Sequence, residues 1–336
     1  MLLLFIVQLA NALFAPTLFV APDANSRMTS DEPDASIAVV GSYNHDMSVT
    51  VPDLPVPGET VIGQGFEQNA GGKGSNQAIA AARDGGDVSF IGAVGDDRFG
   101  EAARDLWADE SIDSSGVLTA EGPTGAALIH IEEDGENAIA VAPGANHELD
   151  GASVREERAA IEGADVLVTQ LETPIESVQA AITVADAANT EVILDPAPAR
   201  ELPDDLLAAV DVATPNESEV RVLTGHDPDA DVDEERAAKA VLDRGPEAVV
   251  VTLGADGALV VTDDETVAVP PIEAEVVDTT GAGDAFNGAF AVARGTGADL
   301  VAAAERGVAA GAAACTERGA VPSLPSRSTI DSYLDE

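Results

Sequence analysis

From Ser36 onward, short apolar runs alternate with stretches whose apolar positions recur at helical spacing. Residues 36–41 (SIAVVG) form a continuous apolar run of the length expected for a buried strand. Residues 47–52 and 60–68 are more polar and alternate, which predicts strands with one wet face. A run of small residues over 74–83 predicts a helix, followed by a strand over 88–94 and a helix over 100–109. Residues 126–131 and 137–142 flank the acidic turn EEDGE and read as a hairpin. Further strands are predicted at 166–170, 191–195, 210–213 and 248–252, with helices over 175–188 and 234–244 between some of them. A last hairpin over 258–269 precedes two Ala/Gly-rich helices, 281–294 and 302–316. Strand–helix–strand order with continuous apolar strands implies an α/β fold, a parallel sheet covered by helices on both faces. One domain is expected over 36–336, with the polar early strands and the hairpin (about 44–70 and 124–142) forming a small β-sheet lid.

Composition adds one outlying feature. The 336 residues are 45% hydrophobic and only 3% aromatic, so the core must be built from Val, Ala, Leu and Ile. Against that ordinary hydrophobicity, 61 acidic and 16 basic residues give a formal charge of −45. A surface so negative repels nucleic acid and anionic membranes, so neither is an expected partner. It suits concentrated salt, where screening shortens the self-repulsion, and a halophilic source is the expectation. Lys73 and Lys239 are the only lysines, and Cys315 is the only cysteine, so no intrachain disulfide can form. A reducing compartment fits, with Cys315 read as a small buried apolar residue.

Residues 1–27 differ from the rest. They are apolar, their only charges are Asp23 and Arg27, and they lack the basic start of a secretory signal. With Met28 following at once, the expectation is that translation starts at Met28 and that the mature protein is cytoplasmic.

The most specific chemical signal is the string DTTGAGDAFNG, Asp278 to Gly288, after an apolar strand and at the start of a helix. Gly281 and Gly283 would let the backbone approach an anion, with first-turn amides pointing at it. Asp284 would then stand beside the phosphates, where a carboxylate can take the proton of an attacking hydroxyl. For a bare GAGD, an ordinary first-turn helix acid is the better reading; the longer string favours function.

A second glycine cluster, AGGKGSNQ from Ala70 to Gln77, matches neither a Walker A loop nor a dinucleotide fingerprint. Close glycines with Lys73 and Asn76 suit a polyol held by many hydrogen bonds; a tight turn into a helix is the plainer alternative. Asn44 and Asp46 follow the first strand and offer an amide and a carboxylate, or serve as turn residues. Glu172, Asn216 and Glu219 follow strand ends, where α/β sheets place ligand groups, and Glu219 could hold Mg²⁺ through water. Thr252, Leu253, Gly254, Ala255, Asp256 and Gly257 end another strand and either border a nucleotide or make a hairpin turn. The four histidines show no ligand spacing.

Together these motifs resemble the ribokinase branch of the PfkB carbohydrate kinase family. The likeness runs from about Ala38 to the C-terminus and includes GSYNHD, PGET, NAGGKGSNQA, GDDRFG, GENAIAVAPGAN, QLETP, DPAPARELPDDLL, TPNESE, TLGADG and DTTGAGDAFNG. It implies a three-layer α/β/α sandwich whose β lid clasps the lid of a second subunit in a homodimer. It implies ribose held by Asn44, Asp46, Gly72, Lys73, Gly74, Ser75, Asn76 and Glu172. Asp284 would activate the 5-hydroxyl, and the amides of Ala282, Gly283 and Asp284 would form the anion hole. ATP would contact Asn216, residues 252–257, Gly283 and Asp284. A potassium ion would be held by Asp278, Thr280, Ala314, Glu317, Gly319 and Ser323, several through backbone carbonyls. Where many relatives place a polar residue near adenine, this chain has Val308. The expected activity is phosphoryl transfer from Mg·ATP to the 5-hydroxyl of D-ribose. The alternatives are a kinase of the same fold for deoxyribose, fructose, 2-keto-3-deoxygluconate, ribose 1-phosphate or a nucleoside, and a catalytically silent sugar-binding regulator.

Overall fold

A computed structural model describes residues 35–132 and 137–335. The segment 1–27, and with it the expected start at Met28, lies outside the described residues, as does the EEDGE turn apart from Glu132.

Strand β1 (Ser36–Val40) sits inside the main sheet, and its pleat sorts its residues between two cores. Ile37 and Val39 enter one apolar cluster, and Ala38 and Val40 enter the other. The chain then leaves the sheet for β2 (Asn44–Val51) and β3 (Gln64–Gly71) and returns through α1 (Lys73–Arg83) to β4 (Asp87–Gly95). Helix α2 (Arg98–Asp109) leads to β5 (Val117–Ala120), and a second excursion forms β6 (Ala126–Glu132) and β7 (Asn137–Ala142). Short helices α3 (Gly151–Glu156) and α4 (Arg158–Glu162) precede β8 (Val166–Thr169), α5 (Ile175–Ala188) and β9 (Glu191–Leu194). Next come α6 (Asp204–Leu207), β10 (Val212–Ala213), α7 (Glu217–Leu223), α8 (Glu234–Leu242) and β11 (Ala248–Thr252). The hairpin β12 (Ala258–Thr262) and β13 (Thr266–Val269) is followed by α9 (Ala282–Gly295), α10 (Leu300–Ala314), α11 (Ala320–Ser323) and α12 (Arg327–Leu334).

The main sheet has the order β13-β12-β11-β10-β9-β8-β1-β4-β5. Its pairings from β11 to β5 are all parallel, whereas β12 and β13 are antiparallel on the β11 edge. The sheet is therefore mixed rather than wholly parallel, because the 258–269 hairpin joins it. On one face lie residues of α1, α2, α9, α10 and α12, and on the other those of α3 to α8, giving the three layers. Aspartates open many of these helices: Asp97 accepts from the Phe99 and Gly100 amides, and Asp299 from that of Ala302. Asp84, fully buried after α1, is held by Arg306 of α10 through Nε at 2.7 Å and through Nη2. Arg306 also reaches Asp331 of α12 at 2.9 Å, so one guanidinium ties three helices together.

The second sheet has the order β3-β2-β6-β7. Pairing of Asn44 with Gly71 draws β3 to 64–71 rather than the expected 60–68, with an irregularity at Val49/Thr50. Phe66, Leu128, Ile139 and Val141 remain 46–61% exposed on this sheet, and all of β7 faces solvent. Strand β5 was not legible: two of its four residues are exposed, and it exists because the end of β4 offers it a partner.

Candidate active site

Two close backbone approaches build the floor of the site. Gly72, with φ of 86°, precedes α1, and a Cβ there would stand 2.6 Å from the Asn44 nitrogen. A Cβ on Gly74 would stand 2.6 Å from the Ser42 nitrogen. Only glycine lets the start of α1 press against the turn after β1. The Ser75 amide donates to the Ser42 carbonyl at 2.9 Å. Glu172, just past β8, closes the same corner: its Oε2 accepts from the Lys73 amide at 3.0 Å and from Ser42 Oγ at 2.5 Å. Asn44, Lys73, Asn76 and Glu172 are thus brought together. The Ser75 side chain is not among them, because it is buried and accepts from Trp107 Nε1 at 2.9 Å.

Asn44 is oriented by Asn146. The Asn146 side chain accepts from the Tyr43 amide (3.0 Å) and donates to the Tyr43 carbonyl (2.8 Å) and to Asn44 Oδ1 (2.9 Å). With its oxygen so engaged, Asn44 offers its N–H groups. Asp46 lies on β2 against Gly71, whose bare Cα leaves room for the carboxylate. Burial pushes the Asp46 pKa up to about 7, helped by the charges of Glu172 and Asp284.

Asp284 faces this corner from the first turn of α9. Gly281, with φ of 82°, caps that helix without any side-chain bond. The Ala282 amide donates to the Thr279 carbonyl at 3.2 Å, while the amides of Gly283 and Asp284 have no acceptor among the described residues. Of the three amides expected to form an anion hole, that of Ala282 is thus engaged within the turn. No heavy atom lies within 4 Å of where a Gly283 Cβ would be, so the space in front of the turn is open. Asp284 is 6% exposed. Its Oδ2 accepts from Asn76 Nδ2 at 2.8 Å and its Oδ1 from Gln77 Nε2 at 3.0 Å. Burial raises its pKa, against the lowering effect of Lys73 and of those two amides.

The Lys73 ammonium stands 4.0 Å from Asp195 Oδ2 with a third of its side chain exposed. Burial works against its charge, but Asp195, Asp284, Glu172 and Glu219 together outweigh that and hold its pKa above the usual value. Asp195 itself is pushed up to about 7, first by burial, against the pull of Lys73. A fixed cation, open helix amides and a carboxylate of raised proton affinity therefore face one another across the C-terminal end of the sheet. That arrangement can neutralise a phosphoryl group and accept a hydroxyl proton.

The loops expected to meet a nucleotide lie side by side. The Thr252 amide donates to the Pro215 carbonyl at 2.9 Å, setting residues 252–257 beside Asn216. Gly254–Asp256 is a single 3₁₀ turn joining antiparallel β11 and β12, so this segment is both a strand end and a hairpin turn. Asn216 and Glu219 form a capping box at the start of α7: Asn216 Oδ1 accepts from the Glu219 amide, and Glu219 Oε2 from the Asn216 amide. Val308 of α10 packs partly buried against the core. The segments around 278–280 and 314–323 also meet. Asp278 accepts from the Thr280 amide and hydroxyl and from the Gly319 amide, which hold its pKa low against burial. Ser323 Oγ lies 3.5 Å from the Thr280 carbonyl, and the Ala314 carbonyl accepts a long 3.5 Å bond from the Glu317 amide. Among the described residues no group of three or more His, Cys, Asp or Glu side chains converges as a metal cage, and no helix is long and apolar enough to cross a membrane.

Sequence reasoning missed Gln77, Asn146, Gln170 and Asp195. Asp195 and Gln170 directly follow strands β9 and β8 at the carboxyl ends of the sheet, a signal that was available. Nothing in the spacing connects Gln77 with residues 118 and 207 positions away.

Comparison with known proteins finds similarity over most of the chain. The family model described as pfkB family carbohydrate kinase matches residues 34–327. A curated protein named ribokinase from Haemophilus influenzae is 40% identical over 259 residues, covering 77% of this chain and 85% of that protein. A deoxyribokinase of Salmonella typhi is 35% identical over 303 residues, covering 89% of this chain and 98% of that protein. The structure of Arabidopsis thaliana ribokinase complexed with ribose and ATP superposes with a TM-score of 0.84 at 30% identity, covering 90% of this chain and 99% of that one.

Proposed function

The chain belongs to the pfkB carbohydrate kinase family, and from that membership we propose that it phosphorylates D-ribose at the 5-hydroxyl with ATP. One observation carries the reading: Asp284, at the open amide end of α9, is hydrogen-bonded to Asn76 of the GGKGSN turn. The base is thereby joined to the corner where Asn44, Asp46, Lys73 and Glu172 offer polar groups to a sugar. Asp284 takes the hydroxyl proton, the Gly283 and Asp284 amides receive the transferring phosphoryl group, and Lys73 offsets its charge. ATP is assigned to the adjoining loops at Asn216 and 252–257. Closure of the four-stranded lid over the sugar would exclude water.

Two cations complete the reading. Mg²⁺ fits a position held by the triphosphate and, through water, by the Glu219 carboxylate in the first turn of α7. When bound it neutralises charge on the phosphates. The oxygens of Asp278, Thr280, Ala314, Glu317, Gly319 and Ser323 suit a hard monovalent cation, and we assign K⁺ there. The exposed apolar residues of the lid support a homodimer made through it, the acidic surface supports a salt-adapted protein, and a need for ATP supports the cytoplasm.

The similarity to a deoxyribokinase favours one second reading, 2-deoxyribose as the acceptor. ADP release should be measured over ribose, 2-deoxyribose, fructose and 2-keto-3-deoxygluconate, with and without KCl. Ribose is expected to give the highest kcat/KM; an equal or higher value for another sugar replaces the substrate, and no ADP release with any sugar overturns the kinase reading.

A further inference from the structure

The kinase reading leaves one buried acid without a task. Asp195 is 3% exposed at the end of β9, and nothing in phosphoryl transfer requires it. Its Oδ2 accepts from Gln77 Nε2 at 2.7 Å, and the same nitrogen donates to Asp284 Oδ1 at 3.0 Å. Gln77 is 0% exposed, and its oxygen accepts from Gln170 Nε2 at 2.6 Å. That last bond fixes the orientation of the Gln77 amide. With its oxygen turned to a donor, both of its N–H groups must point at carboxylates, one at Asp195 and one at Asp284. The other Asp195 oxygen accepts from the Ala197 amide at 3.2 Å, so the anchor is itself anchored.

We propose that Asp195, acting through the shared amide of Gln77, is a positioning residue for Asp284, fixing one oxygen of the base and setting the pH below which turnover fails. This rests on the reading of Asp284 as the base. The physical content has two parts. One Asp284 oxygen is held by Gln77 and the other by Asn76, so the carboxylate cannot rotate about its last bond without losing a buried hydrogen bond. Two carboxylates divided by a single amide nitrogen also repel, and in a buried setting each makes the other harder to ionise. The remaining charges around the pair are Lys73, which favours ionisation of both, and Glu172, Glu219 and Asp46, which oppose it. Lys73 is shared: at 4.0 Å from Asp195, it is drawn away from a full pairing with Asp284. The arrangement keeps the neighbouring Lys73 cation from suppressing the proton affinity that a base needs.

Two near-isosteric substitutions move the same quantity in opposite directions. In Asp195→Asn the neighbouring charge is gone, and the acid limb of kcat/KM for ribose should move to lower pH by on the order of one unit. In Gln77→Glu a third carboxylate enters, so the limb should move to higher pH while kcat falls at least tenfold and KM for ATP changes little. Both variants are to be assayed at saturating Mg·ATP with thermal unfolding recorded beside the kinetics. A limb that stays at the wild-type pH in either folded variant, or moves the other way, overturns the proposal. Full-length Asp284→Asn separates the two ideas: if it keeps turnover, the base assignment fails, whereas its inactivity with unmoved limbs in the other variants defeats only the role of Asp195.

Discussion

Replacing Asp284 by Asn removes the proposed base while keeping its shape, and the hydrogen bonds around it allow the result to be estimated. A positioned general base contributes about 10²–10⁴ in rate, equivalent to about 3–5 kcal/mol of barrier, and kcat should fall by that factor. Stability should change little, for two opposing reasons. Both carboxylate oxygens accept amide hydrogens, from Asn76 at 2.8 Å and Gln77 at 3.0 Å. An asparagine can accept only one of these and must turn its own NH₂ toward the other donor, a loss of about 1–3 kcal/mol. Against this, burial disfavours the ionised Asp284, and the substitution removes that penalty. The sign follows from linkage: a carboxyl whose folded pKa is raised holds its proton more tightly in the native state, so it destabilises the fold as pH rises from the unfolded to the folded value. An amide has no such term, and the midpoint of thermal unfolding should shift by no more than a few degrees. The assay is coupled ADP release with ribose across pH, beside thermal unfolding of the same samples. Wild-type activity should fail on the acid side at a pH above the ordinary carboxylate range. Turnover in Asp284→Asn within tenfold of wild type, with its acid limb retained, would refute the assignment of the base.

Three further outcomes are expected. Arg306→Met leaves the fully buried Asp84 without its bidentate partner and should destabilise the protein by about 3 kcal/mol at neutral pH; because burial raises the Asp84 pKa, the deficit should shrink as the pH falls and Asp84 takes a proton, and a loss under 1 kcal/mol in urea unfolding would show that Arg327 alone suffices. The double variant Phe66→Glu/Ile139→Glu, at positions 61% and 57% exposed on the lid, should convert a dimer into a monomer on light scattering; an unchanged mass would remove the lid as the interface. With a net charge of −45, the thermal midpoint should climb steadily from low to molar KCl, and a flat curve would dispose of salt adaptation.

How far the sequence reached depended on the range of the interaction involved. Apolar runs such as SIAVVG and AVVVT report their own burial, so β1 and β11 fell within a residue of their expected places. Gly72, Gly74 and Gly281 announce close backbone approaches, because residue type alone sets what φ and what clearance are allowed. The positions of Glu172 just past a strand and of Asp284 in the first turn of a helix were likewise legible. Partnership was not. Ser75 sits in the middle of the glycine motif, yet its hydroxyl belongs to Trp107, and the Ala282 amide is taken by a carbonyl three residues back. Strand β5 depends on the free edge of β4, and β3 shifts to meet Asn44.

What the chain determined by itself was local: periodicity, glycine conformations and the charge of the surface, each a property of a few consecutive residues. The tertiary structure alone decided that Gln77 joins Asp195 to Asp284 and that Asn146 turns Asn44 toward the cleft. Those contacts span about a hundred positions or more. They form only when separate strands end at the same edge of one sheet, and no spacing along the chain encodes which buried amide will meet which carboxylate.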